Sequence, residues 1–384
     1  MQREGSWATG SRVRRTTVAI IGAGPAGLGM ARVLRDLAIP DVVVFERSRI
    51  GASFRAWPEE TRFITPSFPG NTFGQTDLNA ISFDSSPAYS LRREHPDGPE
   101  YARYLEGAAA EFQLRIEVGT DVQDLEPSGE GFVLRTSRGA VATRFVIWAA
   151  GQFQYPDLEP FPGAEFGVHS SRVRRWRDHP GDHVIVIGGY ESGIDAALGL
   201  VGTGKRVTVL GRSPRWRDSR EADPSITLAP VTFQRLSSAM QLGAPIEFVE
   251  GADILGMERR EGEIHVLAAD GRSWTTASPP ILATGFSGST KTIEHCFDWN
   301  SSSYPSLSPQ DESLRMPGLF LVGPEVTQGK HLFCFIYKFR QRFAVVGRTI
   351  AGRLGVDTAA LDRYRTNNMY LDDLTCCEES RCLC

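Results

Sequence analysis

The residues best suited to chemistry in this 384-residue chain are glycines followed by an acid. Gly22, Gly24 and Gly27 stand in the spacing Gly-x-Gly-x-x-Gly, filled by Pro25 and Ala26, and Glu46 comes 24 residues after the first of them. Glycines so spaced have separate mechanical duties. The first turns the chain tightly, the second lets a diphosphate touch the backbone, and the third brings helix and strand together. Free amides at the helix start then hold phosphate oxygens. Glu46 can accept hydrogen bonds from a ribose diol and would repel a 2′-phosphate. A second set, Gly188, Gly189, Ser192 and Gly193, repeats the turn with Tyr190 in the middle glycine's place. That crowding suits a nucleotide that comes and goes. The strand behind it ends in Gly211-Arg212-Ser213, with Arg215 and Arg217 nearby, and no acid. Arginines there can pair a 2′-phosphate, so NADPH is expected in preference to NADH.

Sulfur is the second chemical resource. Cys376, Cys377, Cys382 and Cys384 fall within the last nine residues, while Cys296 and Cys334 stand alone. Neighbouring thiols exchange disulfides and bind soft metal ions. Cys334 lies between phenylalanines near the start of a helical stretch. A helix start lowers a thiol's pKa; the alternative is a small buried hydrophobe. A secreted disulfide framework would spread its cysteines through the fold. Together with a polar first 15 residues, this sets the expectation of a cytoplasmic protein.

Elements must position these groups. Thr17–Ile21 and His183–Ile187 are short apolar runs, each feeding a glycine turn and a helix, as buried parallel strands do. Val42–Phe45 and Arg206–Leu210 are the strands that follow. Pro99–Leu114 reads as a helix, and residues 116 to 143 alternate as an antiparallel meander would. Further strands end at Ala150-Gly151, at Gly285 and at Gly323, and Phe333–Gly352 reads as one long helix. The fold class is therefore α/β, with two Rossmann-like dinucleotide-binding domains, the second inserted in the first. The expected boundaries are a flexible N-terminus over 1–15, a first domain over 16–153 and 284–353, an inserted domain over 154–283, and a cysteine-rich tail over 354–384. A net charge of −4 argues against a nucleic-acid-coating surface. No run of ~18 apolar residues is present, so no membrane-spanning helix is expected.

The Ile50-Gly-Ala-Ser-Phe-Arg-Ala-Trp57 and Arg62-Phe-Ile-Thr-Pro-Ser67 stretches resemble the region after the ribose acid in flavin-containing monooxygenases. The Ala149-Ala-Gly151 and Ala283-Thr-Gly285 strand ends resemble the crossover motifs of two-dinucleotide flavoproteins, including thioredoxin-reductase-like and bacillithiol-disulfide-reductase enzymes. The resemblance implies FAD in the first domain and NADPH in the second. It implies cofactor contacts at Arg47, Ser53, Trp57, Val122, Ala150, Gly151, Gly285 and Gly323, besides both glycine turns, Glu46, Arg212 and Ser213. Those flavoproteins carry Gly-Asp where this chain has Gly323-Pro-Glu325, so Glu325 or a backbone amide is the expected substitute. A monooxygenase fingerprint of the Phe-x-Gly-x-x-x-His type is present out of register as Phe161, Gly163 and His169. No Cys-x-x-Cys marks the inserted domain, and Ala26 stands where bacillithiol-disulfide reductases place a cysteine.

Three acceptors for the flavin's electrons follow. The first is dioxygen with a small-molecule substrate. The second is a disulfide partner or soft metal reached through Cys334 or the tail cysteines. The third, a nucleotide-binding sensor, is not an enzyme at all. The monooxygenase-like reading ranks first. No resident metal is expected, and a homodimer is compatible with the sequence.

Overall fold

The computed structural model describes residues 13–68, 76–217 and 225–375. Two parallel-strand sheets organise it. In the first, β1 (Arg14–Ile21) pairs in parallel with β2 (Val42–Glu46) and β6 (Gly139–Trp148), and β2 pairs with β3 (Ile116–Val118). β4 (Val122–Ser128) and β5 (Gly131–Thr136) run antiparallel beside β6, forming the meander. The strand order is β3-β2-β1-β6-β5-β4. Val18, Ala19 and Ile20 at the centre of β1 are fully buried, which is why that run carries no polar residue.

α1 (Pro25–Asp36) leaves β1 through the first glycine turn, with Pro25 opening the helix at a position where a proline's missing N–H costs nothing. Three helices complete this part of the first lobe: α2 (Ala52–Arg55), α3 (Pro87–Leu91) and α4 (Gly98–Glu111).

The chain then crosses to a second sheet. There β7 (Val168–His169), β8 (His183–Ile187), β9 (Arg206–Gly211), β10 (Ile246–Glu250) and β14 (Ile281–Leu282) are all parallel, in the order β10-β9-β8-β14-β7. α5 (Glu191–Val201) and α6 (Pro230–Gln241) pack on it. A three-stranded antiparallel sheet of β11 (Ile254–Arg260), β12 (Glu263–Ala268) and β13 (Ser273–Thr276) adds a further layer.

After β14 the chain returns, and β15 (Leu319–Leu321) pairs in parallel with β6. The outgoing and returning passes are pinned to each other. Asp157 N donates to Gly285 O at 3.0 Å and Ser287 N to Tyr155 O at 2.8 Å.

Two expectations need correction. The long helix over 333–352 is broken into α7 (Ile336–Phe339), a 3₁₀ turn over Arg340–Arg342 and α8 (Phe343–Leu354). At the break Arg340 and Arg342 both turn inward and are buried: Arg340 donates to carbonyls of a distant loop, while Arg342 pairs with the buried Asp311 carboxylate at 2.9 Å and also reaches the Leu371 carbonyl at 2.6 Å. The tail does not start at 354 either. Leu361, Tyr364 and Met369 are buried in the first lobe's core, and Tyr364 Oη donates to Asp36 Oδ2 at 2.7 Å. Their apolar residues are spaced too irregularly to read as a helix or strand face.

Candidate functional site

At the first turn, sterics separate the three glycines by duty. A Cβ on Gly27 would stand 1.9 Å from the Gly22 carbonyl oxygen, and one on Gly22, whose φ is 108°, would stand 2.6 Å from that of Ala149. Neither position tolerates a side chain. Gly24 differs, because nothing lies within 4 Å of its missing Cβ. Its φ of −88° and ψ of −173° suit any residue. Neither packing nor backbone conformation demands a glycine there, and the space it leaves open is the space a diphosphate needs. No side chain caps the start of α1, so its first amides are available to an anion. Glu46 closes the far side. It is buried, and its carboxylate accepts from Ala23 N at 2.9 Å and Ser48 N at 2.8 Å. Two backbone amides thus aim it, with lone pairs left for a diol.

The second turn repeats the geometry. Gly188 has φ 111°, and a Cβ on Gly193 would stand 1.9 Å from Gly188 O. Tyr190 does not fill the turn. Its hydroxyl donates to Thr227 O at 2.7 Å, and Arg215 lies 5.0 Å over its ring. The start of α5 also lacks a side-chain cap. Gly189 has a packing reason of its own: the Trp216 ring lies against both Gly189 and Gly211 and stacks on Phe248 at 4.9 Å. Arg212 and Ser213 are exposed at the end of β9, and Arg217 pairs with Glu250 at the end of β10. The residues present fit a diphosphate dinucleotide at both turns.

One cavity of about 390 Å³ connects the two. It begins at Gly22, Gly24, Pro25, Ala26 and Glu46, passes Ser53 and Trp57, follows Ala150 and Gly151, and ends at Glu191, Ser192 and Asp195 on α5. Its middle is aromatic. Phe54, Trp57, Phe63, Phe153, Trp176, Phe286, Phe335 and Phe339 all face it, with Trp57 and Phe63 centroids 5.1 Å apart and Phe153 and Phe286 5.5 Å apart. Cys334 lies on its wall, its Sγ 3.1 Å from Ser225 Oγ, which Lys338 Nζ also reaches at 2.7 Å.

The lobes are stitched together along this cavity. Thr61 Oγ1 donates to Asp195 Oδ2 at 2.7 Å, and Arg235 holds the other oxygen at 2.9 Å. Glu59 N donates to Arg174 O at 2.9 Å, while its carboxylate pairs with Arg175 at 2.8 Å. Glu191 accepts from Ala229 N and, at 2.7 Å, from Thr232 Oγ1, and burial raises its pKa. His169 is buried at the crossover. Its Nδ1 accepts from Ser171 N at 3.2 Å, so Nε2 carries the proton and donates to Gly285 O at 2.9 Å. Burial lowers its pKa.

Several residues expected at the cofactor make contacts within the protein. Glu325 does not face the cavity. Its carboxylate accepts four hydrogen bonds, from the backbone amides and hydroxyls of Ser289 and Thr290, capping a 3₁₀ helix over Ser289–Cys296. Its neighbour Pro324 lines the cavity wall. Arg47 bonds Gln154 and lies 5.7 Å over the Tyr155 ring, clasping the crossover. Val122 is buried where the meander begins. Gly285 gives its carbonyl to His169, and Gly323, at φ 107°, packs its backbone on Ala26. Cys376, Cys377, Cys382 and Cys384 lie outside the described residues. Among the described residues, no group of three or more His, Cys, Asp or Glu side chains could hold a metal ion, and no helix is long and apolar enough to cross a membrane.

Residues 19–323 match the family Pyridine nucleotide-disulphide oxidoreductase. The chain belongs to this family. It is an FAD-dependent pyridine-nucleotide oxidoreductase, working with FAD and NADP(H). A relative from Granulibacter bethesdensis, named ferredoxin–NADP reductase, is 27% identical over 94% of this chain and 95% of its own length. Bacilliredoxin reductase Bdr from Bacillus subtilis is 26% identical over 52% of this chain and 58% of its own. Among solved structures, the bacillithiol disulfide reductase of Staphylococcus aureus aligns with a TM-score of 0.71 at 18% identity, covering 89% of this chain and 99% of that one. A flavin-containing monooxygenase from Stenotrophomonas maltophilia aligns at 0.68 and 17%, covering 89% and 100%. At those identities the structures speak for the fold. The family resemblance read from the glycine turns and crossover motifs holds.

Proposed function

We propose that this oxidoreductase takes hydride from NADPH and delivers the electrons, with dioxygen, to a small apolar molecule held between the lobes. The balance is NADPH, dioxygen, substrate and a proton giving NADP⁺, oxygenated substrate and water. Bound FAD supplies the step from a two-electron hydride donor to dioxygen. In this reading residues 16–153 and 284–353 hold FAD and 154–283 hold NADPH. Gly22, Gly24 and the start of α1 take one diphosphate, with Glu46 on the ribose. The start of α5 takes the other, with Arg212 and Ser213 toward the 2′-phosphate. The thread of aromatic rings excludes water and orients the rings of both cofactors. The observation that carries the proposal is that aromatic cavity: it joins the two turns and offers an apolar molecule a place beside them.

A second reading has one observation in its favour, the Cys334 thiol on the cavity wall. There, a disulfide substrate accepts two electrons and leaves as two thiols. One experiment tests both. The purified protein is given NADPH with candidate small molecules, and NADPH, dioxygen and product are counted. One-to-one-to-one stoichiometry supports oxygenation. Anaerobic NADPH oxidation with two thiols released per NADPH, lost in Cys334→Ser, supports the disulfide route instead. Anaerobic oxidation that proceeds only with a one-electron protein acceptor refutes both, and agrees with the name carried by the Granulibacter relative.

A further inference from the structure

One polar group on the cavity wall has no task inside the protein. Asn79 is 1% exposed, yet it lines the cavity. Its side-chain nitrogen donates to Thr65 O at 2.8 Å and to Ser67 Oγ at 2.8 Å. A carbonyl oxygen only accepts, so the atom facing Thr65 O must be the NH₂ group, and both its hydrogens are spent. The Asn79 backbone is committed as well: its N–H goes to Asp77 Oδ1 at 3.1 Å and its carbonyl accepts from Tyr101 Oη at 2.7 Å. Only the side-chain oxygen is left. None of the described residues donates to it, and in the cavity lining it is open to a donor that a ligand brings.

The fold invests in keeping it there. The loop carrying Asn79 has no regular structure. Arg340, fully buried, donates to Ala80 O at 2.8 Å, to Thr76 O at 2.9 Å and to Asp77 O. Tyr104 Oη accepts from Ile81 N at 2.9 Å. A loop bonded on both flanks of Asn79 holds that side chain at a fixed point in the cavity lining.

We propose that the side-chain oxygen of Asn79 is a recognition point of the cavity, accepting a hydrogen bond from an N–H or O–H donor carried by the flavin ring edge or by the substrate. This rests on the reading of the cavity as the site of flavin chemistry. Because Asn79 offers an acceptor and no donor, it favours ligands that carry a donor over ligands of the same shape that lack one.

The test uses the full chain loaded with FAD and the variants Asn79→Leu, Asn79→Ser and Ser67→Ala. The first two remove the amide acceptor, one at similar volume and one smaller, so that one folded variant suffices. Ser67→Ala removes one clamp and keeps the acceptor. FAD content is measured first; wild type that binds no FAD ends the underlying reading and leaves nothing for Asn79 to recognise. Two readouts follow: the flavin absorbance spectrum and midpoint potential without ligand, and dissociation constants for phenol and anisole, which differ in one O–H donor. If the donor is the flavin, the Asn79 variants shift spectrum and potential and Ser67→Ala does not. If it is the substrate, wild type and Ser67→Ala bind phenol about three- to tenfold more tightly than anisole, and the Asn79 variants lose the difference. The proposal is overturned if the Asn79 variants match wild type in both readouts, or if Ser67→Ala reproduces every change.

Discussion

Replacing Gly24 by alanine separates folding from cofactor binding. Its backbone conformation is open to alanine, and nothing lies within 4 Å of the added methyl group. The cofactor-free protein should therefore keep its stability or gain up to about 1 kcal/mol, since alanine restricts the unfolded chain. FAD pays the whole cost. The methyl occupies the opening where the backbone must meet a phosphate, and losing one charge-assisted hydrogen bond there costs about 2 kcal/mol, roughly 30-fold in Kd. Gly27→Ala is the control of opposite sign. Its Cβ would meet Gly22 O at 1.9 Å, so the helix must move off the strand and the apoprotein loses about 1–3 kcal/mol or more. The assay is denaturant unfolding of both apoproteins beside FAD titration followed by fluorescence quenching. An apoprotein carrying Gly24→Ala that is more than about 1 kcal/mol less stable than wild type, or that binds FAD as tightly, would refute the division of duties among the three glycines.

Three further outcomes are expected. Arg212→Glu should invert the cofactor preference, lowering kcat/KM for NADPH by about tenfold or more with little change for NADH, because a carboxylate now faces the 2′-phosphate; steady-state kinetics with both reductants reads it. Glu325→Gln should cost about 1–3 kcal/mol in stability, since an amide nitrogen then confronts donors of Ser289 or Thr290, while FAD affinity stays within about threefold; a large loss of FAD affinity with unchanged stability would contradict the capping role. His169 should make the fold acid-sensitive. Burial lowers its folded pKa below the unfolded value of about 6.5, so its contribution is fully present above that pH and is lost as pH falls toward the folded value. His179 shifts the same way, so His169→Gln should flatten only part of the stability decline below about pH 6.5.

The scaffold was legible because it rests on local pattern. The apolar runs at 17–21 and 183–187, the two glycine turns and the alternation through 116–143 each state their own conformation within a few residues. The open backbone at Gly24 and the buried acid at Glu46 could be placed for the same reason: spacing alone fixes where a strand–turn–helix unit puts them. Side-chain partners far apart in sequence were not legible. Nothing near Glu325 announces that Ser289 and Thr290 will take its carboxylate. Nor does anything near Arg340 show that it will hold carbonyls more than 250 residues earlier. The aromatic lining was equally hidden, because Phe63, Phe153, Phe286 and Phe339 come from four separate segments that no periodicity links. Asn79 is buried and also lines the cavity, and nothing in its neighbourhood announces either.

The pinning of the two crossing passes, Asp157 to Gly285 and Tyr155 to Ser287, makes the inserted lobe a cassette whose two chain ends lie side by side. Chain entering and leaving at neighbouring points can be cut and rejoined there without disturbing either sheet. On the proposed reading, in which the inserted lobe holds NADPH, a graft of 156–285 from a relative would import that relative's reductant preference. It would have to carry along matching partners for Glu59 and Thr61, whose bonds to Arg175 and Asp195 set the angle at which the transplanted piece sits.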